Sequence, residues 1–503
     1  MLLNEVIKGL DVVLPCTLNR DFDVQVLEND SRKVNSFSLF IAYSGYAGDA
    51  HRFIDHAYGN GCRHFVVSVQ KMKELHEKYP EAFFMGSDDL PRALSISAAN
   101  FYDDPSSKLC LIGITGTSGK TTTAFAIQSL IQDCGFKCGL IGTIEYHIGN
   151  KIIPAGNTTP DVLFLNSLLS RMVEEGLQYC VIEVSSHALS LGRISGLNFD
   201  VAAFTNFTQD HLDFHVTMQN YLEAKLKIFD LLSKSKKNNR IAVINSDMSI
   251  YGSIMAYLRR FNNISVKKFS LEGGESDYRI RIDCINQSGS DFEFEGVPMR
   301  IAMIGMTNLY NFSMSCVILT ELGFHPQKFS KSIYNIKVRG RMELLTSPGG
   351  FTVVIDYAHK PDALEKLLST LRDTVMSGGR IITVFGAGGD RDKTKRKIMG
   401  KIAGRLSDIN FITSDNPRTE DPLTIIRDLE AGLKETGNCS YTVEVDRARA
   451  IRLAMEGAVK GDIVVIAGKG HEDYQIIGRK KNHFSDREEV EKFFLKAQAG
   501  DLS

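Results

Sequence analysis

Residues Leu109 to Thr123 run from an apolar stretch, Leu109 to Ile114, through the string GITGTSGKTTT into a helix-patterned segment that opens at Thr121. A strand that turns into a helix through a glycine-rich loop is the phosphate-binding unit of an α/β sheet. This single feature therefore constrains both the fold class and the ligand chemistry, and it points to a nucleoside triphosphate such as ATP. Backbone N–H groups of Gly116, Thr117, Ser118 and Gly119 can close around phosphate oxygens, and the start of the following helix adds its positive dipole end. Lys120 can reach the β- and γ-phosphates, the Thr121 hydroxyl can ligate Mg²⁺, and Thr122 follows in the same turn. The common P-loop pattern asks for glycine at position 114, where this chain has Ile114, with glycines at 113 and 116 instead. The loop thus differs from that of the widespread NTPase motors and switch proteins.

A chain of 503 residues has room for about three domains, each with its own core. A formal net charge of -1 gives no global reason for nucleic-acid or membrane binding, so basic sites are argued one by one. The start, MLLNEVIKGLDVVLPC, lacks a basic segment followed by a sustained apolar one, and no later run is long enough to span a bilayer. A cytoplasmic location and no membrane insertion are the expectations. The nine cysteines show no metal-type pairing; Cys134 and Cys138 are the closest couple and have no ligand cluster beside them. They read as reduced, mostly buried thiols.

Residues 1–107 carry short apolar runs, Ser38 to Ala42 and Phe65 to Val69, and end in the linker-like cluster Asp103 to Ser107. From Lys108 strands and helices alternate, with strands expected at Gln178 to Val184, Val201 to Asn206 and Arg240 to Asn245, which indicates a doubly wound, mostly parallel sheet. Asp277 to Arg300 alternates like antiparallel strands, and Leu309 to Leu322 reads as a helix. A third unit starts near Val338, with strands expected at Phe351 to Ile355, Arg380 to Phe385, Phe411 to Ser414, Tyr441 to Val445 and Asp462 to Ile466. The fold class is α/β in three domains: a small N-terminal α/β domain (1–107), a central P-loop domain with a doubly wound sheet (108–337) and a C-terminal Rossmann-like domain (338–503). Ligands of such sheets bind beyond the carboxyl ends of the strands.

Glu183 ends an apolar run and opens EVSSHAL, which places a carboxylate at a strand end and makes it a Mg²⁺ ligand candidate. In TQDHLDFH, His211 and His215 are four apart, a spacing that can put two imidazoles on one helix face. The residue after the first histidine is Leu212, not the glutamate of helix-borne zinc proteases, so His211 remains only a possible ligand of a second metal ion. Lys225 lies in the helical stretch MQNYLEAKLKIFDLL and, by itself, reads as a solvated surface lysine without a role. GAGGDRDKTKR (386 to 396) follows a strand and suits an anionic group, although a solvated charge run reads the same way. DNPR (415 to 418) and GKGHE (468 to 472) bring opposite charges on two loops that together could hold an amino acid by its carboxylate and ammonium.

These strings occur in one order that resembles the Mur ligases, the ATP-dependent enzymes that build the peptidoglycan stem peptide. The resemblance rests on DSRKV (30 to 34), GTSGKTT, NTTP (157 to 160), EVSSHAL, DHLDFH, NLYN (308 to 311), GRME (340 to 343), DYAHKPDALE (356 to 365), GGDRDK, DNPR and AGKGHEDYQ (467 to 475). It is closest to the branch that adds the third residue. It implies an ATP-dependent amide-forming ligase that phosphorylates the D-glutamyl γ-carboxylate of UDP-N-acetylmuramoyl-L-alanyl-D-glutamate and joins the acyl phosphate to an amino acid. Related amide ligases, including the D-alanyl-D-alanine-adding and folylpolyglutamate types, are the nearest alternatives.

By matching position, the resemblance implies that Lys225 is carbamylated and holds Mg²⁺ with Thr121, Glu183 and His211, and that Asn308, Arg341, Asp356 and His359 contact ATP. Ser31 and the turn Tyr46, Ala47, Gly48 would meet the uridine diphosphate end, with Asn157, Thr158, Thr159, Ser185, Leu191 and Arg193 on the muramoyl dipeptide. The family usually has glutamine where this chain has Leu191, which removes one amide donor and acceptor. DNPR resembles the type specific for meso-2,6-diaminopimelate, whose distal carboxylate Arg418 would grip by a bidentate bond, with Arg391, Asp415, Asn416, Pro417, Gly468 and Glu472 completing the pocket. L-Lysine or L-ornithine is the alternative amino acid. The expected partners are these small molecules, with no nucleic acid, and the expected state is a monomer.

Overall fold

The computed structural model describes residues 1–14, 21–43 and 48–499. The chain packs into two compact units, Met1–Arg279 with Ser313–Phe329, and Ile280–Phe312 with Ser330–Ser503.

The first unit contains two sheets. Val26–Glu28, Ser38–Ile41, His64–Ser68 and Phe83–Ser87 pair in that order, all parallel. The last three of these strands are buried on both faces, as they must be when helices such as Leu90–Phe101 cover them. The larger sheet has eight strands in the order Ser265–Phe269, Ile241–Asn245, Val201–Phe204, Cys110–Thr115, Tyr179–Glu183, Cys138–Ile141, Glu145–Ile148 and Lys151–Pro154. The first six are parallel and the last two fold back antiparallel. Cys110–Thr115 thus lies inside the sheet, and its carboxyl end delivers the glycine-rich loop into the helix Lys120–Asp133.

The expected linker is not a free tether. Asp103 and Asp104 both take left-handed backbone conformations before the short helix Pro105–Lys108. Asn198 Nδ2 donates to Asp104 Oδ1 (3.1 Å) and Ser107 Oγ (3.0 Å), which ties the segment down.

The second unit holds an antiparallel sheet, Ile280–Asn286, Gly289–Phe294 and Val297–Ile301, where the sequence alternates. Its six-stranded sheet runs Glu343–Thr346, Thr352–Asp356, Ile463–Ala467, Ile381–Phe385, Ile409–Ile412 and Tyr441–Val443, parallel except for the first strand. The carboxyl ends of four parallel strands therefore present Asp356, Gly468, Gly386 and Asp415 along one edge. Asp356 O accepts from Gly468 N at 3.0 Å across two of them.

Candidate active site

In the glycine-rich loop, Gly116 (φ +143) lies where a Cβ would collide with the Thr205 hydroxyl, and Gly119 (φ +84) is the left-handed cap of the helix. Both require glycine. Gly113 has a different reason: it sits mid-strand, and a Cβ there would strike the Phe199 ring at 2.8 Å. The glycine that seems displaced from the usual motif is thus a packing residue, and the phosphate loop is built by 116 and 119. Asn206 braces the loop, its Oδ1 accepting from Ser118 N (2.8 Å) and its carbonyl from Thr117 N (2.9 Å). Lys120 Nζ folds back onto the carbonyls of Gly116 (2.8 Å) and Thr117 (2.9 Å).

Glu183 is 0% exposed at its strand end. Its Oε2 accepts from Thr121 Oγ1 (2.9 Å) and Thr143 Oγ1 (2.9 Å), and its Oε1 from Thr143 N (2.9 Å). The helix start and the buried carboxylate therefore meet, as the sequence suggested, with Thr143 as a participant that the sequence did not reveal. Two hydroxyls and one carboxylate suit a hard divalent cation that takes few protein ligands and completes its shell with phosphate and water. Among the described residues no group of three or more His, Cys, Asp or Glu side chains is gathered as a metal cluster, and this donor set fits Mg²⁺ better than a transition metal.

Lys225 is not a surface residue. It is 1% exposed, on the helix stripe formed by Tyr221, Lys225, Ile228 and Leu232. Its Nζ donates to Gly116 O at 2.7 Å and lies 4.7 Å from the centre of the Tyr221 ring. Burial, reinforced by the nearby Lys120 charge and opposed by Asp210, holds its amine well below the usual ammonium range. His211 does not share a helix face with His215. It is a left-handed residue (φ +52) preceding the one-turn helix Leu212–His215, is 40% exposed and pairs with Asp210 (3.4 Å). His215 is buried against Ser186 Oγ (3.0 Å). Burial and the neighbouring His187 lower the affinity of His215 for a proton.

The residues matched to the muramoyl dipeptide gather around the same strand end. Thr159 Oγ1 donates to Glu183 O (2.7 Å) and accepts from Ser185 N (3.0 Å), and Arg193 Nη1 donates to Thr159 O (3.3 Å). Thr158 and Thr143 share a hydroxyl contact (3.1 Å), and Asn157 O accepts from Tyr146 OH (2.6 Å). The Leu191 carbonyl accepts from Tyr43 OH (3.1 Å). Ser31 is buried with its Oγ 3.0 Å from His56 Nδ1. Tyr46 and Ala47 lie outside the described residues; Gly48 is exposed with φ +108.

In the second unit both Asp356 oxygens are held by backbone, Oδ2 by Met342 N (2.7 Å) and Oδ1 by Ala358 N (2.9 Å). Burial nevertheless raises its carboxyl above the ordinary range, against the pull of Arg341. Arg341 lies over the Tyr357 ring (4.8 Å) and its buried Nε has no hydrogen-bond partner, an arrangement suited to an incoming anion. Burial pushes His359 down to about 4, so its ring is neutral near pH 7. Asn308 is buried, its amide donating to Ile304 O (2.9 Å).

The loops around Gly389, Asn416 to Arg418 and Ile476 interlock. Arg418 has a left-handed backbone (φ +53) fixed by its N–H to Ile476 O (3.0 Å) and its carbonyl to Gly478 N (2.7 Å), and its Nη1 donates to Gly389 O (2.8 Å). Gly389 N donates to Asn416 O (2.9 Å), and Pro417 O accepts from Glu420 N (3.1 Å). Burial opposes ionisation of Asp415, but Lys469, Arg447 and His359 together hold it below its ordinary range. Its buried Oδ2 has no hydrogen-bond partner. Arg391 is exposed beside Gly388. The buried Arg396, not singled out from sequence, ties the two loops through Glu420 (2.9 Å).

One unit carries a glycine-rich strand-to-helix loop backed by a buried carboxylate, and the other an α/β sheet with charged loops at its strand ends. Residues 114–319 match the Mur ligase middle domain and residues 340–470 the Mur ligase glutamate ligase domain. The chain is 42% identical over 503 residues, covering 98% of this chain and 99% of the relative, to UDP-N-acetylmuramoyl-L-alanyl-D-glutamate--2,6-diaminopimelate ligase 1 of Clostridium acetobutylicum. It is 41% identical over 478 residues to the corresponding ligase of Clostridium botulinum, covering 93% and 95%. A solved structure of a 2,6-diaminopimelate ligase of this type superposes with TM-score 0.72 at 29% identity, covering 99% of each chain. MurF of Thermotoga maritima in complex with ADP shares the fold (TM-score 0.55, 18% identity, covering 95% of this chain and 99% of that one). The chain belongs to the Mur ligase family. Within it, the two Clostridium relatives and the solved structure at 29% identity are ligases of the 2,6-diaminopimelate-adding type.

Proposed function

We propose that this chain joins meso-2,6-diaminopimelate to the D-glutamyl γ-carboxylate of UDP-N-acetylmuramoyl-L-alanyl-D-glutamate, converting ATP to ADP and phosphate. A γ-carboxylate oxygen attacks the γ-phosphorus and ADP leaves. The amino-acid amine then attacks the acyl carbon, loses a proton, and expels phosphate as the amide forms. The observation that carries the reading is that one unit holds a glycine-rich loop on Glu183 and the other the interlocked 415–418 and 468–472 loops, in a chain about 40% identical to named ligases of this type over nearly its whole length.

Each residue set has a task. Lys120 leaves its loop carbonyls to neutralise phosphoryl charge, and the loop N–H groups orient the γ-phosphate. Thr121 and Glu183, with Lys225 and His211 as further ligands, would hold Mg²⁺, which when bound neutralises phosphate charge. The low proton affinity of the buried Lys225 favours the neutral amine form that takes up CO₂ as a carbamate, exchanging a buried amine for an anionic oxygen donor. Thr158, Thr159, Ser185 and Arg193 position the acceptor peptide beside that carboxylate. Asp415 and Glu472 face the amino acid's ammonium groups, and Arg418 and Arg391 its carboxylates. Domains 1–107, 108–337 and 338–503 would then carry the uridine diphosphate, ATP and amino-acid sites.

The test is phosphate release by purified protein with ATP, Mg²⁺ and the UDP-dipeptide, comparing meso-diaminopimelate with L-lysine and L-ornithine and checking product mass. Turnover with meso-diaminopimelate alone supports the full reading. Turnover with lysine or ornithine keeps the ligase and refutes the pocket assignment, and phosphate release independent of any amino acid refutes both.

A further inference from the structure

Lys469 lies between two residues matched to the amino acid, Gly468 and Glu472, yet it points away from solvent and is 0% exposed. Its three ammonium protons have three acceptors: Tyr474 O (2.7 Å), Asn416 Oδ1 (3.2 Å) and Glu472 Oε2 (3.3 Å). These belong to three separate segments: the hairpin strand Tyr474–Ile477, the 415–418 loop and the 468–472 loop. Asn416 is locked in turn, its Nδ2 donating to Glu472 Oε2 (2.9 Å) and its Oδ1 also accepting from Ile476 N (2.9 Å). Both contacts on Glu472 fall on Oε2, which leaves Oε1 outside this triad. The strand held by Lys469 at Tyr474 is the one whose Ile476 carbonyl fixes the left-handed backbone of Arg418.

We propose that Lys469 is the positioning residue of the amino-acid pocket: one buried ammonium sets the orientation of Asn416, the rotamer of Glu472 and, through the 474–477 strand, the placement of Arg418. The inference rests on the reading of these loops as the amino-acid site. A buried cation is costly and is kept where it is paired and fully hydrogen-bonded. Here it offsets part of the negative charge of Glu472 and Asp415, so the pocket stays selective for a ligand that brings carboxylates as well as ammonium groups. Without Lys469 the uncompensated carboxylates favour a dicationic amino acid.

The experiment measures KM separately for ATP, the UDP-dipeptide and the amino acid that supports wild-type turnover, in Lys469→Met, Lys469→Gln, Glu472→Gln and the Lys469→Met/Glu472→Gln double variant, with thermal melting of each. For Lys469→Met the expected result is a rise of about tenfold or more in amino-acid KM, with the other two KM values within about twofold of wild type. The meso-diaminopimelate to L-lysine preference should fall by a similar factor. The effects of Lys469→Met and Glu472→Gln should be non-additive, the double variant being no worse than the poorer single one. An unchanged amino-acid KM, or three KM values rising together with the melting temperature falling, overturns the positioning role. Failure of both Met and Gln variants to fold assigns Lys469 to folding alone and also overturns it. If the wild type turns over no amino acid, the reading of the loops fails, an outcome distinct from an unaltered Lys469→Met enzyme.

Discussion

Val216 offers a quantitative test of the loop that carries His211. It has φ +69 and ψ -46, with Thr217 N donating back to His215 O at 2.8 Å, the geometry of the strained three-residue turn. A β-branched side chain in that region is a steric outlier, and the side chain is 74% exposed, so little burial offsets the strain. Such strain costs about 1–3 kcal/mol, and replacing it with glycine returns about 0.4–1 kcal/mol through the looser unfolded chain. Val216→Gly is therefore expected to stabilise the first unit by about 1 kcal/mol, raising its melting transition by about 1.5 °C for a body of this size. Val216→Ala keeps a Cβ at positive φ and should recover less than half of that gain. Calorimetry with Mg²⁺ and nucleotide held constant reads both variants. A glycine variant that melts lower than wild type, or an alanine variant that equals it, would refute the strain assignment and with it the described path from His211 to Thr217.

Three further outcomes follow from the site and its surroundings. Lys120→Ala should abolish product formation while leaving UDP-dipeptide binding by calorimetry within about threefold of wild type; lost binding with normal turnover per bound complex would contradict the role given to Lys120. Thr143→Val removes one of three donors to Glu183 and keeps the backbone one, so kcat should fall by about tenfold and the Mg²⁺ requirement rise; an unaltered Mg²⁺ titration would exclude Thr143 from the metal site. His64 is 5% exposed, stacked on Phe22 (3.7 Å) with neither ring nitrogen hydrogen-bonded, and burial lowers it to about 4 from 6.5. The unfolded chain then binds a proton that the folded one refuses, so up to about 3 kcal/mol is present above pH 6.5 and is lost as pH falls from 6.5 to 4. Urea melts of His64→Phe should show a shallower loss over that window, and identical slopes would contradict it.

Much of this was legible in the chain. The sheet order was not, but the strand–loop–helix junction at Cys110–Lys120 and the strand ends at Glu183 and Asp356 fall where apolar runs end, and Asp415 lies just beyond the strand that ends at Ile412. By itself Lys225 reads as a surface residue, because a lone cation on a helix usually is. The stripe Tyr221, Lys225, Ile228, Leu232 repeats at helical spacing, however, and that period held the correct answer. His211 misled in the other direction: a four-residue spacing implies a shared helix face only if the helix includes both residues, and a left-handed residue at 211 breaks it. Thr143 and Asn206 carry no local signal, and Arg396 and Lys469, although inside the strings GAGGDRDKTKR and GKGHE, show nothing there of their burial, since each acts only after long-range pairing brings another loop to it. Gly113 resembled a shifted motif glycine until the Phe199 ring explained it.

The central claim is amide formation with meso-diaminopimelate, and a competition measures it most directly. Equimolar meso-diaminopimelate, L-lysine and L-ornithine are given to the enzyme with ATP, Mg²⁺ and the UDP-dipeptide, and the products are resolved by mass. The account predicts one dominant UDP-tripeptide carrying diaminopimelate, with ADP and phosphate formed one for one. A product mass carrying lysine or ornithine, or phosphate released without any tripeptide, would contradict it.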